Sequence, residues 1–445
     1  MTEKGSTEWE KPYRRRTVIV TLGVAGFAGC LGGGDSEDEP TPTATPVPTA
    51  DPTETPVDTE TATATPTDTP TETAEESPTP ESTPTPQQEG PTEAMYHQDP
   101  RNLGVVQSPR SSPPFRELAE TWQFEADNKI RTAPAVVGNT VYFGTDGGTV
   151  YAVDAAAGSE RWSVGAGDAV RSSPAVVGGT IYVGSDDDTL FALDAETGRE
   201  QWAFDTLDSV RTAPKVVDGT VYVGCDDRNV YAVDPTDGSE VWTHRVRGKV
   251  RSSPAITSDH VYIGRDSNTL YKLDISDGSK IWTFDTEQFV RTAPVVADGT
   301  VYFGTTDGDP TTSGGSLYAL DTRLGETEWV FDEPNDIAES PVLADGAVYA
   351  VDTNDRVWSV DADSGNQNWS FNTFSSIRAA PVYVSGHLYV PRADNTVSVF
   401  SDSGTQEATF SASRAFRSSP TVSGGTVYVG CDDRTLYAIG EPSAD

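Results

Sequence analysis

Val170-Arg-Ser-Ser-Pro174 … Gly179-Thr-Ile-Tyr-Val-Gly184 … Leu190-Phe-Ala-Leu-Asp194 … Gly198 … Trp202 is one copy of a pattern that fills this 445-residue chain from about residue 96 onward. Its proline recurs at Pro134, Pro174, Pro214, Pro254, Pro294, Pro341, Pro381 and Pro420, with spacings of 40, 40, 40, 40, 47, 40 and 39 residues. Each copy holds four short runs: Val-Val after the proline, Thr-Val-Tyr-Val-Gly, Leu-Tyr-Ala-Leu-Asp, and a run around tryptophan such as Glu240-Val-Trp-Thr. β-Branched and aromatic side chains suit a pleated, half-buried surface, and the intervening Gly, Asp and Asn supply turns. No stretch sustains a helical period. Four strands in each of eight units predict an all-β chain: one eight-bladed β-propeller of four-stranded blades, closing radially with short protected edges.

Closure is also written in the repeat. Asp, Gly four residues on and Trp eight residues on recur as Asp154/Gly158/Trp162, Asp194/Gly198/Trp202, Asp234/Gly238/Trp242, Asp274/Gly278/Trp282, Asp321/Gly325/Trp329 and Asp361/Gly365/Trp369. The seventh unit has Ala408 in the tryptophan place, and the eighth stops at Ile439 after its third strand. Thr121-Trp122-Gln123-Phe124 lies 40 residues ahead of Trp162 and supplies the missing strand, so the two ends of the repeat share one blade.

The string Ala-x-Asp-x-x-x-Gly-x-x-x-Trp, as in Ala192-Leu-Asp194 … Gly198 … Trp202, resembles the tryptophan-docking repeat of the PQQ-like propellers. That family includes quinoprotein alcohol dehydrogenases and the lipoprotein propellers of outer-membrane assembly. The resemblance covers about residues 99–440, and Tyr96-His-Gln-Asp99-Pro-Arg-Asn-Leu-Gly104 is similar to the segment that precedes the propeller in such proteins. It gives Trp122, Trp162, Trp202, Trp242, Trp282, Trp329 and Trp369 a blade-docking role. A PQQ dehydrogenase needs a calcium-bound quinone, a catalytic aspartate, a tryptophan floor and often a vicinal disulfide. Here no two cysteines are adjacent, the one clear insertion is Gly308–Gly315, and no catalytic or calcium position maps onto the chain. The expectation is a non-catalytic binding or scaffold module with no resident cofactor, monomeric, serving a protein, polymer or small anion. A quinoprotein-type dehydrogenase using PQQ and calcium is the alternative, since propellers host both.

One set of charges follows the repeat. Arginine stands three residues before the proline as Arg131, Arg171, Arg211, Arg251, Arg291, Arg378 and Arg417, and unit six has Ala338 followed by Glu339 instead. Antiparallel order puts these arginines on the same rim as acidic loops such as Asp186-Asp187-Asp188, Asp226-Asp227, Asp266, Asp352 and Asp432-Asp433. Either each arginine bonds a nearby aspartate or carbonyl and holds its loop, or the seven form a cationic ring for a carboxylate or phosphate. The acidic loops match no known calcium-ligand spacing, and no metal site is expected.

Composition bounds the rest. Acidic residues number 69 against 31 basic ones, a net charge of −38, and only seven residues are lysine. Such a balance repels phosphate backbones, so nucleic-acid binding is not expected; it looks like the solvation strategy of an extreme halophile. Three cysteines exclude a disulfide-stapled scaffold, and Cys225 and Cys431, three blades apart, are expected to be free thiols.

Residues 1–30 read as a lipoprotein signal of twin-arginine type: Arg14-Arg15-Arg16, an apolar run of 13 residues, then Phe27-Ala28-Gly29-Cys30, similar to a lipobox with Cys30 as the lipidated residue. Thirteen residues are too few to span a bilayer, which takes about 20. Residues 31–95, with 18 threonines, 13 prolines, 15 acidic residues and no lysine or arginine, form an expected disordered stalk. Fully extended at ~3.1 Å per residue it reaches on the order of 200 Å. The folded part is thus expected outside the cell, on the outer face of the cytoplasmic membrane. Cys30→Ser should shift the protein from the membrane to the soluble fraction or block its processing. Fractionation showing unchanged membrane retention with normal maturation would contradict lipidation at this residue.

Overall fold

The computed structural model describes residues 93–97, 99–106, 118–307, 314–332 and 335–440. The export signal with Cys30, the stalk up to residue 92 and most of the 308–315 insertion lie outside the described residues. Among those described, no helix is long and apolar enough to cross a membrane. Eight sheets follow one another along the chain. The first blade runs Ala135–Val137, Thr140–Gly144, Thr149–Asp154 and Glu160–Gly165, each strand antiparallel to the last. In the eighth blade Thr421–Ser423, Thr426–Gly430 and Thr435–Gly440 are completed by Ala119–Glu125, with Trp122 opposite Ala438 and Glu125 opposite Thr435. The closing strand extends beyond the expected 121–124 at both ends.

In all eight sheets the pairing of the third and fourth strands slips by a residue just before the tryptophan place, as between Glu200 and Trp202. Such a bulge bends the outer strand and re-aims its side chains. The tryptophan it turns does not dock within its own unit. Trp162 Nε1 donates to the Ala195 carbonyl of the next blade at 3.1 Å, and its ring lies over Gly198. Gly198 has φ +71°, and a Cβ there would meet the ring at 2.6 Å, so both its conformation and its lack of a side chain are required. Asp194 holds that turn by accepting from the amide and hydroxyl of Thr197. The same bond joins Trp122 to Ala155, Trp202 to Pro235, Trp242 to Ile275, Trp282 to Thr322, Trp329 to Ala362 and Trp369 to Asp402. The Asp–Gly–Trp motif is therefore local in sequence but inter-blade in space.

In the seventh blade Ala408 stands in the tryptophan place, buried against the eighth blade, whose third and fourth strands come from opposite ends of the repeat. The apolar core is likewise divided among blade interfaces: Tyr262 and Leu270 of the fourth blade pack with Val301, Phe303 and Leu320 of the fifth, and Val397 and Phe410 of the seventh with Val427 and Tyr437 of the eighth.

The segment before the closing strand occupies the axis. Ala94 exchanges backbone hydrogen bonds with Val176 of the second blade; the carbonyls of Pro100, Arg101, Leu103 and Gly104 accept from Ile256, Val296, Leu343 and Tyr383 of the fourth to seventh blades. Val105–Val106 then pairs in parallel with Val382–Val384, giving the seventh blade a fifth strand. Ala94 and Met95 are buried, so the expected stalk boundary at residue 95 is corrected: backbone pairing to the innermost strands fixes the chain by Ala94.

Candidate functional site

The rim of the axial channel gathers all seven arginines expected from the sequence around one cavity of about 200 Å³, together with Ala338 and Glu339. Six of the seven bond nearby aspartates, and each of those aspartates links two neighbouring blades. Asp186 of the second blade pairs with Arg171 of its own blade and with Arg211 of the third, the latter at 2.7 Å. Asp226 joins Arg211 to Arg251 at 3.3 and 3.2 Å, and Asp266 joins Arg251 to Arg291 at 3.3 and 2.5 Å. Asp146 joins Arg131 to Arg171 at 3.3 and 3.4 Å, and Asp432 joins Arg417 to Arg131 at 3.3 and 3.4 Å. Six arginines and five aspartates thus alternate from the eighth blade to the fifth.

The backbone holds each bridging place in the same way. The amide of the rim aspartate donates to the carbonyl two residues before the arginine, as from Asp186 to Ala169, Asp226 to Ser209 and Asp432 to Ala415. By that bond the equivalent residues in blades five, six and seven are Thr306, Thr353 and Ala393, which donate to Phe289, Asp336 and Ser376. Asp352, expected on the acidic rim, sits one place earlier and instead accepts from Trp358 Nε1 and from the amides of Asn354 and Arg356. Arg378 forms no ion pair within 4 Å among the described residues, though it acts on Glu339 through space. Glu339 is only partly exposed to the cavity, and desolvation pushes its pKa up to about 7 against the pull of Arg378.

The floor was not read from the sequence. Tyr96 closes the cavity from below, its hydroxyl 3.4 Å from Ser340 Oγ, and burial pushes its pKa up to about 12. Beneath it Lys215 is wholly buried, donating to the carbonyls of Tyr96 and Asp99; desolvation takes its pKa down to about 7, opposed by Asp99. His97 stacks on Tyr96 at 4.2 Å and is pushed down to about 3 by burial and then by Lys215. Asn102 Nδ2 donates to the carbonyls of Pro254 and Pro294. A signal for Lys215 existed: the residue after the proline is Ala, Val or Thr in the other seven units. Arg265 bonds Ser267 and Thr269 and lies 5.5 Å from the Tyr271 ring centre, which also faces His244. Cys225 and Cys431 are buried free thiols pushed up to about 12 by desolvation.

A model of the family described as outer membrane protein assembly factor BamB matches residues 118–254, 226–338 and 310–376, together more than half of the chain. The chain belongs to that family. No curated protein matches this BamB-family chain in sequence. Among solved structures, BamB from Moraxella catarrhalis is similar at 19% identity and TM-score 0.64, over 73% of this chain and 99% of that one. The quinohemoprotein alcohol dehydrogenase from Comamonas testosteroni gives 14% and 0.66 over 79% and 81%, and the computationally designed Ika8 protein 17% and 0.63 over 72% and 98%. At these identities the likeness is one of fold.

The axial cavity does not fit a calcium-bound quinone. Calcium takes six to eight oxygen ligands, whereas Glu339 is the only carboxylate among the described lining residues, and its burial disfavours the charged form. Tyr96 is the only aromatic there, and its hydroxyl rather than its face is engaged by Ser340.

The alternating rim makes Asp226 its most consequential member. Its side chain is 0% exposed and holds Arg211, Arg251 and Lys249. Asp226→Asn should cost about 2 kcal/mol, below the ~3–5 kcal/mol of a fully buried pair because the cations remain partly solvated. Arg171→Ala, whose side chain is 38% exposed, should cost about 1 kcal/mol. Denaturant melts giving equal midpoints for Asp226→Asn and the parent would contradict a structural zipper.

Proposed function

We propose that this chain is a non-catalytic binding propeller, held outside the cell by a lipid on Cys30, that engages another protein through its arginine-rimmed face. The observation that carries this reading is the zipper itself. Eleven ionic side chains are pre-paired with one another around the mouth, which makes the face a fixed, already neutralised platform rather than a cup of reactive groups. Two large apolar side chains stand on the loops of the same face, Leu207 at 83% and Phe374 at 86% exposure. They belong to the second-to-third and sixth-to-seventh blade connections, four blades apart and hence on opposite sides of the axis. Phe374 is held out by a backbone with φ 56°, a conformation that costs free energy in a non-glycine residue. Apolar anchors on a polar, pre-ordered surface suit recognition of a folded protein.

The family match supports a scaffold among membrane-associated partners, and a stalk on the order of 200 Å suits reach from the membrane. The test is photo-crosslinking in native membranes from probes placed at Leu207 and Phe374, with a probe at Ile281 on the outer wall as control. A discrete protein adduct shared by the first two and absent from the third is the expected result. Adducts of the same pattern from all three positions, or none from the rim, would overturn the assignment of this face.

A further inference from the structure

Six pairs of adjacent blades both carry a rim arginine, and in five of them one aspartate bridges the pair. The sixth pair is Arg378 of the seventh blade and Arg417 of the eighth. The bridging place belongs there to Ala393, whose amide makes the same backbone bond, to Ser376, that positions the aspartates elsewhere. The loop geometry is thus kept while the carboxylate is replaced by a methyl group.

We infer that the gap between Arg378 and Arg417 binds a carboxylate from outside the chain, carried by a small organic acid that enters the axial cavity. This goes beyond the proposed protein partner and does not depend on it. Three features of the site support the assignment. First, the five complete bridges show that neighbouring rim arginines stand within reach of a single carboxylate, at 2.5–3.4 Å from each guanidinium in the pairs that define it best. The guanidinium fork favours a planar carboxylate. Second, among the described residues these two arginines have unused donors: Arg417 pairs only with Asp432, through Nε, and Arg378 forms no ion pair. Glu339 does not fill the place, because it approaches Arg378 from the sixth blade, the side away from Arg417.

Third, the place opens on the cavity of about 200 Å³, which has room for the body of a small acid and is lined by hydroxyls of Ser340 and Ser419 on the same side. Tyr96 closes the bottom, so the bound acid enters from the rim. Size and the single carboxylate place select a mono- or dicarboxylic acid of a few carbons over a polymer.

The test compares the parent with Ala393→Asp, Arg378→Gln and Arg171→Gln, using acetate, succinate, phosphate and sulfate at fixed ionic strength and chloride. Ala393→Asp supplies the carboxylate from within: it should raise the melting midpoint without ligand and abolish the response to succinate. Arg378→Gln should melt close to the parent and bind succinate about tenfold more weakly by calorimetry, the loss of one charge-assisted hydrogen-bonded pair. Arg171→Gln, at a bridged position, should melt lower yet keep the parent's succinate affinity. The inference fails if Ala393→Asp lowers the midpoint, if it responds to succinate as the parent does, or if no carboxylate shifts the parent. Equal shifts from all four anions in every variant would show screening of the rim as a whole and would also overturn it.

Discussion

The pairing of Ala119–Glu125 with Thr435–Gly440 is the constraint on which the rest of the molecule depends. Seven blades are continuous in sequence, and seven tryptophans each reach forward to the turn of the next blade. Such a chain of nearest-neighbour contacts is linear by nature. It becomes a ring only because the first tryptophan, Trp122, sits on a strand that belongs to the last blade. The link from the eighth blade to the first is then made by the same bond as every other, from Trp122 to Ala155 at 2.9 Å. The interface that lacks a tryptophan lies between the seventh blade and the eighth, the blade that the two ends of the repeat share. There packing of Val397, Phe410, Val427 and Tyr437 takes over.

Closure also fixes the axis, and the axis holds the chemistry. Once eight blades stand around a centre, residues at one place in the repeat converge on it. Seven guanidinium groups around one channel repel each other at close range. The aspartates that follow them in the repeat offset that repulsion and join neighbouring blades a second time, at the rim, far from the tryptophans on the outside. The two rings of contacts differ in character: the tryptophan bonds depend on close packing over glycine, while the rim pairs, about one-third exposed on the arginine side, weaken with salt. Where the repeat departs from itself, at Thr306, Ala338, Glu339, Thr353 and Ala393, the rim loses its internal neutrality, and the site proposed for a ligand lies there.

Much of this was legible in the sequence, for a physical reason: repetition reveals register. The regular spacing of Pro134 through Pro420 fixed the blade count, and the position of Trp122 one period ahead of Trp162 disclosed the shared blade. The arginines and aspartates were recognisable as occupants of one rim because antiparallel strands return to the same side. What was not legible was which neighbour each side chain meets. Trp202 reads as the partner of Gly198, yet in space Gly198 carries Trp162, because docking crosses an interface that a one-dimensional period does not show. For the same reason the sequence did not show that Asp186 serves Arg211 as well as Arg171. Asp352 was misplaced by one residue, since Val351 stands where most blades have the glycine that marks the strand end. Tyr96, His97 and Asn102 lie outside the repeat and could not inherit a position from it; only Lys215, a lysine where its counterparts are Ala, Val or Thr, announced itself.

The central claim is that the ring is closed by a strand from the start of the folded region. Deletion of residues 119–125 removes that strand and the first tryptophan bond together, and leaves Thr435–Gly440 as an unpaired edge open to other chains. Its thermal unfolding, followed by calorimetry and light scattering, is the most direct test. The account predicts loss of the parent's single cooperative transition, with association of the exposed edges at temperatures where the parent remains folded. A truncated protein that stays monomeric and melts in one transition at the parent's midpoint would contradict it.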